Sequence, residues 1–184
     1  MQPQPSAPSL QPLVVFTIGH STRPLETFIG LLRAHGVTQL ADIRSIPRSK
    51  RHPHFAGDAL SVSLPAAGIA YRHFPGLGGH RKPRRDSPNT AWRHEGFRGY
   101  ADYMQTGDFE AALDELVAWS GAVATAIMCA EAVWWQCHRQ LTADALVARG
   151  VRVAHIMSAT SAPAHTLTEF ARVANGAVAY PGLI

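Results

Sequence analysis

Apolar positions along the chain fall into five short runs separated by stretches with helical spacing. The runs Leu13 to Ile18, Val37 to Ile43, Ile69 to Phe74, Val123 to Met128 and Val151 to Met157 are short and rich in β-branched residues. Such runs read as buried strands. Between them, Leu25, Phe28, Ile29 and Leu32 recur at helical spacing up to Gly36, and a short helix is expected from Ala56 to Ala67, stopped by Gly68. Two more helices are expected over 97–104 and 108–119, the second carrying the stripe Phe109, Ala112, Leu113, Leu116 and Val117. Leu141, Ala145 and Leu146 mark a further helix ending at Gly150. Strands alternating with helices predict an α/β fold: a single three-layer domain with a mostly parallel sheet flanked by helices. The domain is expected over 13–157. Residues 1–12, rich in Pro, Gln and Ser, read as a disordered lead-in. Residues 158–184 read as a C-terminal tail with a short helix, Leu167 to Ala174, packed on the domain. The alternation does not set the strand order.

That pattern changes what the reactive residues mean. The chain's two cysteines, Cys129 and Cys137, lie where the fourth strand ends and the last helix begins, with Glu131, His138 and Arg139 beside them. Ligand sites of open α/β sheets gather at carboxyl ends of strands, and a helix N-terminus favours an anion or a thiolate. If the strands run parallel, His20 and Ser21 after the first strand, and Asp42 and Arg44 at the end of the second, join the same edge. The structural alternative is that the thiols fill core space, as free cysteines often do, and that Asp42 and Arg44 are a plain ion pair. Ser21 or Thr22 is expected to cap the first helix, with Pro24 in its first turn. His155, alone in an apolar strand, reads as a hydrogen-bonded core residue.

Charge adds a partner class. The net charge is +4, and eleven of the 17 Lys and Arg lie between Arg44 and Arg98 against only three acids there. A basic middle interleaved with aromatics suits an anionic partner, a small molecule or a nucleic acid. The loop from Ser45 to His54, containing Arg48, is long, basic and histidine-rich, which is common in functional loops. No apolar stretch is long enough to span a membrane, and the start lacks a secretory pattern. Two cysteines make no disulfide framework, so a reducing cytoplasm is the expected compartment.

No cofactor is named by the residues. Pro75 to His80 is glycine-rich but matches neither the phosphate loop nor the dinucleotide fingerprint. The two cysteines, eight positions apart, match no standard zinc pattern and not the spacing of thioredoxin-like redox pairs; a redox couple would need a favourable loop between them. No metal ligands are assigned. The roles consistent with the residue types are Cys137 or Cys129 as nucleophile, His20 or His138 as proton shuttle, and Glu131 or Asp42 as base or orienting carboxylate. Arg44 and Arg139 would hold a phosphate or carboxylate bidentately, with Ser21, Arg48 and His138 completing the substrate site. The expected function is an enzyme or ligand-binding domain for a phosphate-bearing anion, such as a nucleotide or nucleic-acid component. The alternative is a non-catalytic nucleic-acid-binding module using the basic 44–98 region. A third possibility is an interaction module whose polar edge knits loops together.

The motifs Thr17 to Ser21, Asp42-Ile43-Arg44, Pro47, Gly68-Ile69 with Tyr71, Leu77-Gly78-Gly79, Phe97 to Met104, Met128-Cys129-Ala130-Glu131, Cys137-His138-Arg139 and Asp144 together resemble the bacterial domain-of-unknown-function family 488. The resemblance spans Phe16 to Ile156. It implies a compact α/β domain and no settled activity. The positions it carries over are His20, Ser21, Asp42, Arg44, Cys129, Glu131, Cys137, His138 and Arg139. After Met157 nothing matches the family's pattern.

Overall fold

The computed structural model describes residues 14–182; the expected lead-in at 1–12 lies outside them. Each apolar run becomes a strand: β1 (Val14–Gly19), β2 (Gln39–Asp42), β3 (Ala70–His73), β4 (Thr125–Cys129) and β5 (Arg152–His155). They form one parallel sheet in the order β3-β2-β4-β1-β5. Five helices connect them: α1 (Leu25–Ala34), α2 (Gly57–Ala66), α3 (Glu95–Tyr103), α4 (Gly107–Ser120) and α5 (Arg139–Ala148). The chain is therefore a single α/β domain, as the alternation of patterns predicts.

Side-chain alternation along the strands divides the core in two. Ile18 of β1 and Ala126 and Met128 of β4 pack with Phe28 and Leu32 of α1 and Leu60 and Leu64 of α2. Val15 and Ile127 face the other way, onto Tyr100, Leu113 and Leu116 and Leu141 of α3, α4 and α5. Both faces of the sheet are covered, which is why its strands read as near-continuous apolar runs.

The strand order fixes where a crevice opens. β1 and β4 are neighbours, but the chain leaving β1 enters α1 on one face, and the chain leaving β4 enters α5 on the other. Diverging connections from adjacent parallel strands leave a gap beyond their carboxyl ends, the usual ligand position in open α/β sheets. Register places Gly19 opposite Cys129, and Asp42 opposite Met128. The ends of β1, β2 and β4 are thus level.

Two local expectations are corrected. Helix α1 has no side-chain cap; Pro24 occupies that position. Ser21 instead sits at φ 50° and donates its N–H to the Ala130 carbonyl (2.9 Å), which commits it to joining β1 to β4. The expected helix from Leu167 to Ala174 is absent: among the described residues the tail forms a hairpin, β6 (Arg172–Ala174) and β7 (Ala177–Ala179). Its turn is Asn175-Gly176, both at positive φ (52° and 78°), the pairing a two-residue hairpin turn demands. The tail packs on the domain through Tyr180, fully buried, whose hydroxyl donates to Asp144 at 2.8 Å.

Candidate functional site

At the carboxyl ends of β1, β2 and β4 a cleft of about 860 Å³ opens. The α1/α2 side contributes the loop carrying Arg48, Lys50, Arg51 and His52; the α3/α5 side contributes Gly79, His94, Phe97 and His138. Its floor is Cys129 and Cys137, with His20 and Arg44 beside them. The lining includes four Lys or Arg and one carboxylate, Glu131.

Beside β1, Asp42 is fully buried and accepts from Arg44 through Nε (2.8 Å) and Nη2 (2.5 Å), and from the Tyr71 hydroxyl (2.8 Å). Burial works against the Arg44 charge, but Asp42 outweighs it and raises the guanidinium's pKa. The pair is thus both an ion pair and an orienting device: the Arg44 atom left over, Nη1, lies 3.3 Å from His20 Nε2. His20 Nδ1 is 2.9 Å from the Ser21 carbonyl, which can only accept, so Nδ1 carries the proton and Nε2 accepts from Arg44. Stacked at 4.3 Å on Phe55, this imidazole is held neutral: burial lowers its pKa to about 4. Shuttling a proton through Nε2 would therefore require displacing Arg44.

The second half of the site is the start of α5. Cys129 Sγ and Cys137 Sγ are 2.8 Å apart, both thiols free and buried. Arg139, only 2% exposed, donates to Cys137 Sγ from its backbone N–H (3.3 Å) and from Nε (3.2 Å). Its Nη2 donates to the Glu131 carbonyl at 2.7 Å. Among the described residues no carboxylate pairs with Arg139, and an uncompensated buried cation is costly. The sulfur hydrogen-bonded to the guanidinium is Cys137, whose ionised form would supply the counter-charge. Burial alone would raise the Cys137 pKa, but donation from Cys129, together with His138 and Arg139, brings it well below the ordinary thiol value. Cys129 moves the opposite way, raised by burial and by sharing its proton with Cys137. The two shifts run in opposite directions, so Cys137 is the sulfur that ionises first.

His138 donates from Nε2 to the Ile43 carbonyl (2.9 Å), tying the start of α5 to the end of β2. Its ring fills the space above Gly79, where a Cβ would come within 2.4 Å of Nδ1. This accounts for a glycine in the Leu77-Gly78-Gly79 segment without any phosphate cradle.

Of the residues expected at the site, His20, Ser21, Arg44, Arg48, Cys129, Glu131, Cys137 and His138 line the cleft. Asp42 and Arg139 stand behind it. Neither Arg44 nor Arg139 offers a free fork, since Asp42, Phe55, Glu131 and Cys137 engage them; the exposed cations of the cleft are Arg48, Lys50 and Arg51. Glu131 acts on the site through its backbone carbonyl, while its side chain is exposed at the rim. His52 and His94 are not among the residues the sequence points to individually; the density of histidines in the 45–54 loop is the signal for the first, and the aromatic-rich basic middle is the signal for Phe97. Among the described residues no three His, Cys, Asp or Glu side chains converge to hold a metal ion, and no helix is long and apolar enough to cross a membrane.

A second polar system lies behind β1. His155, stacked on Trp134 at 4.0 Å, bridges Thr17 (2.7 Å) and His165 (2.9 Å), and His165 reaches Asp144 at 2.8 Å. All four members of the chain from Thr17 to Asp144 are buried, so it links the tail and the 130–136 loop to the sheet rather than opening onto the cleft. His155 is the hydrogen-bonded core residue its strand setting suggests.

Comparison with curated proteins and with solved structures returned no match. A family model does match, over residues 24–146, two thirds of the chain, a span that includes Asp42, Arg44, Cys129, Glu131 and the Cys137-His138-Arg139 segment. The chain belongs to the family described as Domain of unknown function DUF488.

Proposed function

We propose that the cleft is the active site of an enzyme acting on a small phosphate-bearing anion, a nucleotide or nucleic-acid component, with Cys137 as its nucleophile. The observation that carries this reading is the guanidinium-paired Cys137 sulfur on the floor of a cleft whose rim bears Arg48, Lys50 and Arg51. A thiolate is the reactive form of cysteine. Exposed cations above it raise the local concentration of an anionic substrate. With both His20 nitrogens engaged, the Ser21 hydroxyl and the remaining hydrogen of Arg44 Nη1 are the polar groups that would orient it.

The test is protection of the thiolate. Inorganic phosphate and a nucleoside monophosphate should slow alkylation of Cys137 in the reduced protein, and the double variant Arg48→Ala with Arg51→Ala should lose that protection while remaining folded. Alkylation of Cys137 at an unchanged rate in saturating phosphate and in the nucleotide would refute the anionic substrate.

The nucleic-acid-binding alternative draws on the same exposed loop. Its wider basic region is weakened by internal pairing: Arg72 with Glu115, Arg84 with Asp86, and Arg81 over the Tyr103 ring. A non-catalytic binder predicts oligonucleotide affinity that falls steeply with salt and is indifferent to Cys137→Ser.

A further inference from the structure

We infer that Cys137 and Cys129 form a dithiol–disulfide couple that reduces a small hydroperoxide, with Cys137 as the attacking sulfur and Cys129 as the resolving one. The inference rests on the Cys137 nucleophile of the preceding reading and not on its anionic ligand.

Geometry assigns the two roles. Cys137 lies two residues before the first residue of α5 and receives the Arg139 backbone N–H and Nε, so its sulfur is the one held ready for attack. Cys129 ends β4, in register with Gly19, and its sulfur meets the Glu131 carbonyl at 4.0 Å and its partner sulfur, with neither of the short Arg139 donors that Cys137 receives. The sulfurs stand 2.8 Å apart, and a disulfide bond is about 2.05 Å long, so the bond forms with less than about 1 Å of sulfur movement. The single 3₁₀ turn Trp134–Gln136 brings the chain back over eight residues and so does what the short thioredoxin spacing does elsewhere. Access sets the oxidant class. Cys137 is 5% exposed and Cys129 2%, which bars a protein disulfide but admits the terminal oxygen of hydrogen peroxide or a small organic hydroperoxide through the cleft.

The chemistry balances. The Cys137 thiolate attacks the terminal peroxide oxygen; an S–O bond forms, the O–O bond breaks, and the departing alkoxide or hydroxide is neutralised by one proton drawn from buffered solvent, leaving as alcohol or water. The sulfur is oxidised by two electrons and the peroxide reduced. The Cys129 sulfur then attacks the sulfenic sulfur of Cys137; the S–S bond forms, the S–O bond breaks, and the hydroxyl leaves as water with the Cys129 proton. An external dithiol returns the pair to its starting state by thiol–disulfide exchange.

The experiment adds one equivalent of hydrogen peroxide to the reduced full-length protein and follows mass. The expected product has lost two hydrogens, yields a peptide joining Cys129 to Cys137, and reverts with dithiothreitol. Oxidation of the folded protein should be at least about tenfold faster than of the urea-unfolded chain, because of its larger thiolate fraction. Cys129→Ser should instead accumulate a sulfenic acid at Cys137 that dimedone traps. Wild-type protein that gains oxygen at Cys137 with no joined peptide, or that oxidises no faster folded than unfolded, overturns the inference. Those wild-type readings decide it even if Cys129→Ser fails to fold. If the disulfide forms but phosphate does not protect Cys137 from alkylation, the anionic substrate falls and the redox couple stands.

Discussion

Arg139→Met isolates the source of the Cys137 thiolate. Arg139 heads the fully buried side chains by size, and its Nε lies 3.2 Å from Cys137 Sγ. Methionine keeps most of the volume and removes the charge and that donor, while the backbone N–H at 3.3 Å survives. A hydrogen bond to a charged group contributes about 1.5–3 kcal/mol net. At about 1.36 kcal/mol per pKa unit, losing it moves the thiol upward by roughly 1–2 units. The assay is the pH dependence of Cys137 alkylation in the reduced protein, with the site read by peptide mapping. The midpoint should rise by that amount, and Arg139→Lys, which keeps the charge but loses the fork, should fall between. Stability carries a second signature. A thiol whose pKa is depressed in the folded state contributes stability that is present above the ordinary thiol range and lost as pH falls through the folded value. The wild type should therefore gain stability relative to Arg139→Met as pH rises through that window. A folded Arg139→Met protein with an unshifted alkylation midpoint would refute the guanidinium as the cause of the thiolate.

Acid should destabilise the fold through two histidines: burial lowers His20 from 6.5 to about 4 and His155 from 6.5 to about 3. Both folded values are depressed, so the stability they contribute is full above 6.5 and is lost as pH falls toward them; melting temperature by circular dichroism should drop over that range, less so in His155→Asn, and an identical acid profile in the variant would rule out the His155 contribution. Gly79→Ala places a Cβ within 2.4 Å of His138 Nδ1, so the ring must leave its Ile43 bond. A loss of about 1–3 kcal/mol in urea denaturation together with altered Cys137 alkylation is expected, and a variant unchanged in both would show that the glycine is not there for His138.

The parts of this molecule that could be read from residue order are those determined locally or by one periodicity. The strands were legible because both sheet faces are covered, leaving continuous apolar runs such as Val123 to Met128. The convergence of His20, Arg44 and Cys129 was legible because parallel strands deliver their following residues to one edge. The tail reads as a helix because Leu167, Phe170 and Ala171 imitate helical spacing, while Asn175-Gly176, a hairpin signal, stands four residues further on. Other features needed the strand order. Nothing in the spacing says that β4 lies between β1 and β2, so the match of Gly19 with Cys129 was hidden. The inward turn of Arg139 was hidden too: an arginine at a helix start reads as an exposed ligand clamp, yet here it is buried against Cys137.

That inversion follows from the topology. Because α1 and α5 leave neighbouring strands toward opposite faces, the gap at the β1–β4 seam must be closed from below by whatever begins α5. A short chain with one 3₁₀ turn returns there, bringing Cys137 against Cys129 and Arg139 against the Glu131 carbonyl. An apolar residue in place of Arg139 would close the seam equally well in packing terms, and similarly shaped hydrophobic groups often replace buried ion pairs without loss of stability. A guanidinium whose buried counter-charge is a thiolate is therefore poorly explained by stability alone. A reactive sulfur would account for the part of this arrangement that stability does not. This is the physical reason to read the seam as a site of chemistry rather than a knot of loops, and it makes reactive Cys137, rather than the basic loop above it, the feature on which the functional reading depends.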